Sequence, residues 1–406
     1  MDYPKVTIVI PVYNGSNYLR EAIQSALNQT YSDIEVLVVN DGSNDNGETE
    51  KIALSFGDKI KYYKKQNGGV ATALNLAISK MSGEYFSWLS HDDLYQDNKI
   101  EVQINEIYHR EKKSAIVFSD YVAYDVDLKT SFYSDLSNRY TKEQLERGAF
   151  SVWMGIIHGC SLLIHRSHFD RVGLFDENLL TTQDYDMWFR MFLGQELIFV
   201  PQRLIIARKH AEQGSRTIPE HLKERVELYL NNMKKSTSEE INRVFGSEYK
   251  FCSDMLSRYY RWDLADCYRY VNEKIKNYEE PENLNRDLEV FKHHISGLLN
   301  NGIENLYIFG AGHNGKSLCY DLLARDIPVK AFIDNDIKKR GTYITALPCA
   351  TLQDITDKEI GIIVSVEQNI KILKQLREYG YRNIITYQDF AMQLSKTPCR
   401  KSWKEA

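Results

Sequence analysis

Carboxylate side chains stand at several points of this chain where an apolar run ends, and there they could take part in metal or proton-transfer chemistry. Asp41 follows the run IEVLVV, and Asp92 and Asp93 closely follow the run YFSWL. Asp184 lies in QDYDMWFR, at the start of an apolar helical pattern. Hard oxygen ligands of this kind bind divalent cations, and a positioned carboxylate can accept the proton of a hydroxyl group. The sequence therefore indicates a site that combines a cation with a general base.

Alternating strands and helices must position these groups. β-Branched runs predict strands at 6–12, 34–39, 85–89 and 115–122, and apolar residues at helical spacing predict helices at 18–29 and 70–81. This alternation predicts a mainly parallel α/β sheet. Ligands of such a sheet bind beyond the carboxyl ends of its strands. Polar residues fall at three of these ends: Tyr13 with Asn14, Asp41, and Asp92 with Asp93.

Five motifs in the first 215 residues resemble, in their order and spacing, the inverting family 2 glycosyltransferases. They are PVYNG at 11–15, NDGS at 40–43, NGGVATALN at 67–75, GEYFSWLSHDD at 83–93 and QDYDMWFR at 183–190. The late segment RKHAEQGS at 208–215 adds to the match. The resemblance implies a GT-A fold, a nucleotide-sugar donor that is most often a UDP-sugar, and a single displacement with inversion at the sugar.

The same resemblance implies roles for individual residues. Asp184 matches the catalytic base. Asp92 matches the second acid of the metal-binding D-x-D motif, Asp93 is its neighbour, and His210 matches a late residue that contacts the metal or the diphosphate. The implied cofactor is Mn²⁺ or Mg²⁺. The residues matched to the nucleotide are Pro11, Tyr13, Asn14, Asp41, Gly68 and Asn75. His91 has no role in the family pattern, but its position suggests contact with the donor.

Three positions depart from the family pattern. Ser90 stands where the first acid of D-x-D is usual, Leu74 replaces a common arginine, and Gln183 replaces a common acid before the base. The first two changes remove one negative and one positive group near the nucleotide. Structural interpretations also stay open: Asp92 and Asp93 as helix caps, Asp184 as an acid that favours the helix dipole, Asp186 as a structural acid, and His210 as a loop histidine.

A glycine-rich turn at 310–317, GAGHNGKS, matches both the dinucleotide pattern G-x-G-x-x-G and the P-loop pattern G-x-x-x-x-G-K-S. The dinucleotide pattern predicts an acid after the next strand, where Asp334 lies. We therefore predict a small Rossmann-like module, which over 304–390 resembles that of bacterial sugar acyltransferases. The structural alternative is a glycine turn that allows close packing and binds no ligand.

Composition and charge restrict the function classes. Hydrophobic residues make up 43% and charged residues 26% of the chain, typical of a globular protein, and the net charge of −5 provides no general attraction to nucleic acid. No signal peptide or run of ~18 apolar residues is present. The six cysteines are scattered, which indicates a reducing compartment. We predict a cytoplasmic location, with the basic tail able to contact the inner face of the membrane.

The sequence predicts an α/β protein with four parts: a GT-A domain with a Rossmann-like mixed sheet at 1–215, a helical connector at 216–300, a Rossmann-like α/β domain at 301–390 and a tail at 391–406. The main hypothesis is a metal-dependent inverting hexosyltransferase in polysaccharide or glycoprotein assembly. Its expected partners are a nucleotide-sugar donor and a glycan, glycopeptide or lipid-linked acceptor, and a homo-oligomer is compatible with the sequence. Two alternatives remain. One is a catalytically weak nucleotide-sugar- or glycan-binding protein, which the missing acid at Ser90 favours. The other is a nucleotide-dependent enzyme that uses the C-terminal glycine loop.

Overall fold

Two separate β-sheets organise the chain, one in each of two units. The computed structural model describes residues 4–211, 213, 217–262, 264–278, 282–300, 302–344, 347–366, 369–389, 391 and 397. Residues 1–136 and 142–236 form the first unit, and residues 137–141 and 237–406 form the second. The finer division predicted at residues 215 and 300 stays a prediction. Most of the tail predicted at 391–406 lies outside the described residues.

The first unit is built on a mixed sheet, which confirms the α/β fold class. Its strand order is β3-β2-β1-β4-β8-β6-β9-β5, with β7 paired to β6. Strands β1 to β4 are mutually parallel, whereas β8 runs antiparallel to β4 and β6. The strands are β1 (Val6–Val12), β2 (Ile34–Asn40), β3 (Lys61–Lys64), β4 (Tyr85–Trp88), β5 (Leu94–Tyr95), β6 (Ile116–Asp125), β7 (Thr130–Tyr133), β8 (Leu163–His165) and β9 (Leu197–Lys209).

Helices cover this sheet with their apolar stripes. In α1 (Leu19–Leu27), the residues Leu19, Ala22, Ile23 and Ala26 are all 0% exposed, as the predicted helical spacing requires. The further helices are α2 (Glu48–Leu54), α3 (Val70–Lys80), α4 (Lys99–His109), α5 (Lys142–Glu146), α6 (Phe150–Trp153), α7 (Ser167–Val172), α8 (Gln183–Phe192) and α9 (His221–Lys235).

The central position of β1 brings the predicted polar residues to one edge of the sheet. Strand β1 pairs with β2 on one side and with β4 on the other, and Val12 lies opposite Asn40. Because the three strands run in the same direction, the segments that follow them start at the same edge. The predicted convergence of three strand ends, those before Tyr13 and Asn14, before Asp41, and before Asp92 and Asp93, is therefore present in the fold.

The second unit combines a helical layer with a six-stranded sheet of order β12-β13-β11-β10-β14-β15. All its strand pairs are parallel except β12 with β13. The helices are α10 (Ser238–Phe245), α11 (Glu248–Arg261), α12 (Ala265–Ile275), α13 (Leu284–Leu298), α14 (His313–Leu323) and α15 (Ile370–Glu378). The strands are β10 (Leu306–Phe309), β11 (Ala331–Ile333), β12 (Tyr343–Ile344), β13 (Leu347–Ala350), β14 (Gly361–Val364) and β15 (Ile384–Thr386). The predicted Rossmann-like fold of this part is confirmed.

The glycine-rich turn of the second unit is explained by close packing. Gly310 has a φ of +99°, and a Cβ atom on Gly315 would lie only 1.8 Å from the Gly310 carbonyl oxygen. Asp334 accepts hydrogen bonds from the Ala311 amide and from Lys339, each at 2.8 Å. The predicted acid, Asp334, thus holds the glycine turn itself. The resemblance to the acyltransferase module stays a prediction.

No helix in the described part of the chain is long and apolar enough to cross a membrane.

Candidate active site

Two asparagines join the loops that follow β1 and β2. The Asn14 side chain donates to Asn44 Oδ1 at 2.7 Å and accepts from the Asn44 amide at 2.8 Å. The Asn14 amide donates to Ser43 Oγ at 2.9 Å. Asn14 adopts a φ of +49°, a conformation that asparagine tolerates better than most residues. These contacts fix the loops at the carboxyl edge of the sheet, here called the rim. Tyr13, on one of these loops, is 43% exposed.

Asp41 organises the loop that leads into α3. Its carboxylate accepts hydrogen bonds from the Gly68 amide at 3.1 Å and the Gly69 amide at 2.8 Å, and it forms an ion pair with Lys65 at 2.6 Å. Lys65 also donates to Thr72 Oγ1 at 2.7 Å. The Gly68 amide also lies 3.3 Å from the second oxygen, so these contacts use the roughly four acceptor positions of this buried carboxylate.

His91 lies over Gly15 of the PVYNG motif. A Cβ atom on Gly15 would come within 2.5 Å of both His91 Cδ2 and Val12 Cγ2, so a larger residue requires the imidazole to move. Burial lowers the pKa of His91. The absence of a side chain at position 15 is therefore what lets the β1 loop approach the β4 loop.

Asp92 and His210 meet although 118 positions separate them in the sequence. Asp92 Oδ2 lies 2.9 Å from His210 Nε2, and the two side chains are 15% and 13% exposed. The imidazole also packs against the Tyr18 ring, with centroids 5.5 Å apart. His210 Nδ1 is buried and has no hydrogen-bond partner. A hard oxygen and an imidazole nitrogen thus lie side by side at the predicted metal position.

Asp93 points away from this pair into the protein. Asp93 Oδ1 accepts from the Arg208 amide at 2.9 Å, and Oδ2 accepts from the Cys160 thiol at 3.2 Å. His158 Nε2 is 3.8 Å from the same oxygen. Burial raises the pKa of Asp93 well above its ordinary value. These bonds support the loop that carries Asp92.

Asp184 occupies the first turn of α8. Its Oδ1 accepts a hydrogen bond from the Tyr185 amide at 2.8 Å. Burial raises the pKa of Asp184 to about 6, although the hydrogen bond from Tyr185 acts in the opposite direction. The neighbouring Asp186 forms an ion pair with Arg190 at 2.9 Å, one turn later in the helix. Asp186 therefore has the structural role that the sequence suggested for it.

The segment at 157–160 connects α8 with the Asp92 loop. Tyr185 donates from its hydroxyl group to the Ile157 carbonyl oxygen at 3.1 Å, and the next residue, His158, contacts Asp93. A Cβ atom on Gly159 would lie 3.1 Å from the Trp88 ring and 3.9 Å from Trp188. This segment therefore ties the base candidate to the metal-site candidate.

The remaining predicted nucleotide residues support the sheet edge. Pro11 is buried in β1 opposite Val39. The Asn75 side chain accepts from the Phe175 amide and donates to the Phe175 carbonyl oxygen, both at 3.0 Å. Leu74, where the family usually has an arginine, is 0% exposed. Their roles toward a nucleotide stay predictions, and the observed contacts hold the surrounding loops.

Several residues of the site were missed from the sequence. The Arg208 guanidinium donates to the Asp92 carbonyl oxygen at 3.0 Å, pairs with Glu21, and lies 4.8 Å from the centre of the Tyr18 ring. The one sequence feature that pointed to Arg208 was its position two residues before His210. His158 and Cys160 had none, because they lie in a segment whose sequence carries no motif.

Comparisons with known proteins identify the family of this chain. The sequence profile described as "Glycosyl transferase family 2" matches residues 7–173. An uncharacterized glycosyltransferase of Rickettsia prowazekii (strain Madrid E) is 48% identical over 252 residues, which are 62% of this chain and 79% of that protein. The chain belongs to glycosyl transferase family 2. A second uncharacterized glycosyltransferase, from Rickettsia bellii, is 49% identical over 249 residues, 61% of this chain, but the chain spans only 36% of that protein's length.

The GT-A fold of this family 2 glycosyltransferase is also found among solved structures. The structure of S. aureus TarS 1-349 in complex with UDP-GlcNAc aligns with a TM-score of 0.51 and 16% sequence identity. The alignment covers 72% of this chain and 81% of the TarS chain. At this identity the likeness bears on the fold, and UDP-GlcNAc is a ligand of TarS.

The donor atoms at the rim fit a divalent cation of the Mn²⁺ or Mg²⁺ kind. Asp92 Oδ2 and His210 Nε2 are adjacent, and sites that mix carboxylate and imidazole ligands suit first-row metals such as Mn²⁺. The other cluster of ligand-type atoms in the described chain, Asp93, His158 and Cys160, lies within 4.8 Å. Its thiol is a soft ligand, and burial raises the pKa of Cys160. The first pair fits the implied metal better than the second cluster.

Proposed function

We propose that the first unit transfers a sugar from a nucleotide diphosphate donor to an acceptor hydroxyl group, with inversion and with Asp184 as the base. The observation that carries this proposal is the partly buried carboxylate at the start of α8, whose pKa is raised to about 6. Such a group is ionised at neutral pH and is a stronger proton acceptor than an ordinary carboxylate. General base catalysis of this kind contributes about 10²- to 10⁴-fold in rate.

Asp92 and His210 would hold a divalent cation in this proposal. When bound, the cation neutralises the negative charge that develops on the departing diphosphate. Two positive side chains nearby are already paired, because Arg208 contacts Glu21 and Lys65 contacts Asp41. This pairing reduces the charge that these two residues offer to the diphosphate and supports metal dependence despite the missing acid at Ser90.

The donor would lie along the edge formed by the loops after β1, β2 and β4. Tyr13 offers an exposed ring for a nucleobase, and Asp41 holds the loop at Gly68 and Gly69. We favour a UDP-sugar because of the family resemblance and because the TarS structure is a complex with UDP-GlcNAc. A glycan, glycopeptide or lipid-linked acceptor, an assembly pathway for polysaccharide and a cytoplasmic location remain proposals from the sequence.

A donor-hydrolysis screen tests the proposal. The full chain is incubated with UDP-, GDP- and dTDP-sugars, each with Mn²⁺ or with EDTA, and release of the nucleotide is measured. Asp184→Asn is compared with Asp186→Asn, which removes an acid from the same helix turn. We expect turnover of a UDP-sugar that needs the metal and that falls at least 100-fold in Asp184→Asn but far less in Asp186→Asn.

Two outcomes would contradict this assignment. Equal loss in the two variants would remove the base role from Asp184. UDP binding without transfer or hydrolysis of any donor would favour the binding-protein alternative instead, which rests on Ser90 at the usual acid position.

A further inference from the structure

The second unit contains a cavity of about 640 Å³ that has no residue in common with the transferase site. Its walls come from the C-terminal end of α11, the start of α12 and one stripe of α14. Four tyrosines, two arginines, one lysine and one histidine line it, and none of the described residues that line it is acidic. The volume falls within the ~300–1,000 Å³ that is common for small-molecule sites.

Helix α14 presents two stripes of different character. Leu318 and Leu322 are 0% exposed and belong to the core of the unit. The stripe on the cavity consists of His313, Lys316, Ser317 and Tyr320, at the spacing that places residues on one helix face. Lys316 and Ser317 are the last two residues of the P-loop-like pattern. The structure thus places this part of the motif in the cavity wall.

Tyrosine rings form a fixed aromatic wall. The Tyr260 and Tyr320 rings are 4.8 Å apart at 83°, and their hydroxyl groups are 3.2 Å apart. The Tyr260 and Tyr268 rings are 6.2 Å apart at 63°. Edge-to-face packing of this kind restrains the rings. A flat ligand ring can therefore bind without ordering these side chains first.

Positive charge at the same wall comes mainly from Lys316. Arg261 is balanced by an ion pair with Asp321 at 3.1 Å, and Arg269 is balanced by Asp266. Lys316 and His313 are exposed at the cavity. A cationic ligand would meet like charges here, and a wholly apolar one would cover these polar groups without pairing them. An anion is the ligand that the lining complements.

We propose that this cavity binds a small molecule with a phosphate group on a ring, such as a nucleotide or a sugar phosphate. The ring would pack against Tyr260 and Tyr268, and the phosphate would lie at Lys316 and His313. The proposal does not depend on the transferase function, because none of these residues belongs to the first unit.

Isothermal titration calorimetry on the full chain tests this proposal with UDP, glucose 1-phosphate, uridine and inorganic phosphate. Lys316→Glu is compared with Lys338→Glu, which reverses the charge of an exposed lysine outside the cavity. Titrations in an Asp92→Asn background, with EDTA, reduce binding at the transferase site. We expect Lys316→Glu to weaken binding of UDP or glucose 1-phosphate at least tenfold, and Lys338→Glu to leave it unchanged. Whichever of UDP and glucose 1-phosphate binds more tightly then shows whether the ligand is a nucleotide or a sugar phosphate.

Several results would overturn the proposal. One is that Lys316→Glu and Lys338→Glu bind the probes with equal affinity. Another is that neither UDP nor glucose 1-phosphate binds, and a third is that inorganic phosphate binds as tightly as UDP and glucose 1-phosphate do. A folded Tyr268→Leu variant, checked by circular dichroism, should also bind at least tenfold more weakly, and full affinity would exclude the aromatic wall. Donor hydrolysis by Lys316→Glu should equal that of the wild type, so failure here is distinct from failure of the transferase proposal.

Discussion

Replacing Glu224 with glutamine should loosen the loop that leads into the Asp184 helix. The Glu224 carboxylate accepts hydrogen bonds from the Leu180 amide, the Thr181 amide and the Thr181 hydroxyl group, each at 2.9 Å, and from the Thr182 hydroxyl group at 3.2 Å. The two amides donate to different carboxylate oxygens. A glutamine keeps only one acceptor oxygen, so its NH₂ group must face a backbone N–H.

The size of the effect follows from these bonds. A hydrogen bond to a charged group is worth about 1.5–3 kcal/mol, and partial exposure of Glu224 places the loss near the lower value, about 2 kcal/mol. For a folded unit of about 150–250 residues, such as the first unit, that corresponds to a fall of about 4–8 °C in Tm. A displaced base can cost up to about 10²-fold in rate, so we expect kcat to fall about 10- to 100-fold.

The dependence on pH has a definite sign. Burial acts to raise the pKa of Glu224, but the hydrogen bonds from Leu180, Thr181 and Thr182 are stronger together and hold it below the ordinary 4.5. A carboxyl group with a lowered folded pKa stabilises the protein above its unfolded pKa and loses this contribution as pH falls through the folded value. The Tm difference between wild type and Glu224→Gln should therefore be full at pH 7 and shrink below pH 4.5.

Differential scanning fluorimetry and donor-turnover kinetics measure the two effects. Glu227→Gln is the matched control, because this exposed acid on the same helix has only a 3.9 Å contact with Lys223. Indistinguishable Tm and kcat values for Glu224→Gln and Glu227→Gln would refute the reasoning.

Three further outcomes are expected. The kcat/KM of the wild type should rise with pH through an apparent pKa of about 6, the value of Asp184. The Asp184→Asn variant should lose this rise and have an unchanged or higher Tm. An unaltered pH profile in this variant would count against the role of Asp184 as the base. Gly15→Ala should lower the free energy of unfolding by about 1–3 kcal/mol through overpacking against His91; an unchanged midpoint in urea would contradict this. Burial lowers the pKa of Lys99 to about 7 from the ordinary 10.5, so between these pH values the unfolded chain binds a proton that the native chain lacks. The free energy of unfolding should therefore rise with pH in this range, by at most about 1.4 kcal/mol per pH unit in the wild type and by less in Lys99→Met. Parallel pH curves for the two proteins would exclude this effect of Lys99.

The strands and helices of the sheet edge could be predicted because local patterns determine them. Strands β1 and β2 are buried runs, and α1 and α3 have a regular apolar stripe. Strand β9 was missed, because VPQRLIIARK interrupts its apolar residues with Pro201, Gln202 and Arg203, which are exposed. The sheet is irregular there, with register shifts of β6 against β9 near Asp120. Such irregular pairing depends on contacts distant in sequence.

The candidate site was predictable in residue type and position but not in hydrogen bonding. Asp41 binds the amides of a loop 27 and 28 positions later, and Asn75 binds Phe175, 100 positions later. Motifs are short, so they contain no information about these distant partners. The same limit hid Glu224, which acts on residues more than 40 positions before it.

The polar residues of the motifs therefore divide into two groups that look alike in sequence. Asn14, Asp41, Asn75 and Asp93 have their side chains bonded to neighbouring loops. Asp184 differs, because its main contact is the amide beside it and its carboxylate has a raised pKa. Among the described residues, Asp92 forms a side-chain hydrogen bond with one partner, the imidazole of His210. Substitutions in the first group should therefore lower stability and activity together, whereas Asp184→Asn should lower activity alone. This separation is what distinguishes a chemical role from a positioning role at the sheet edge.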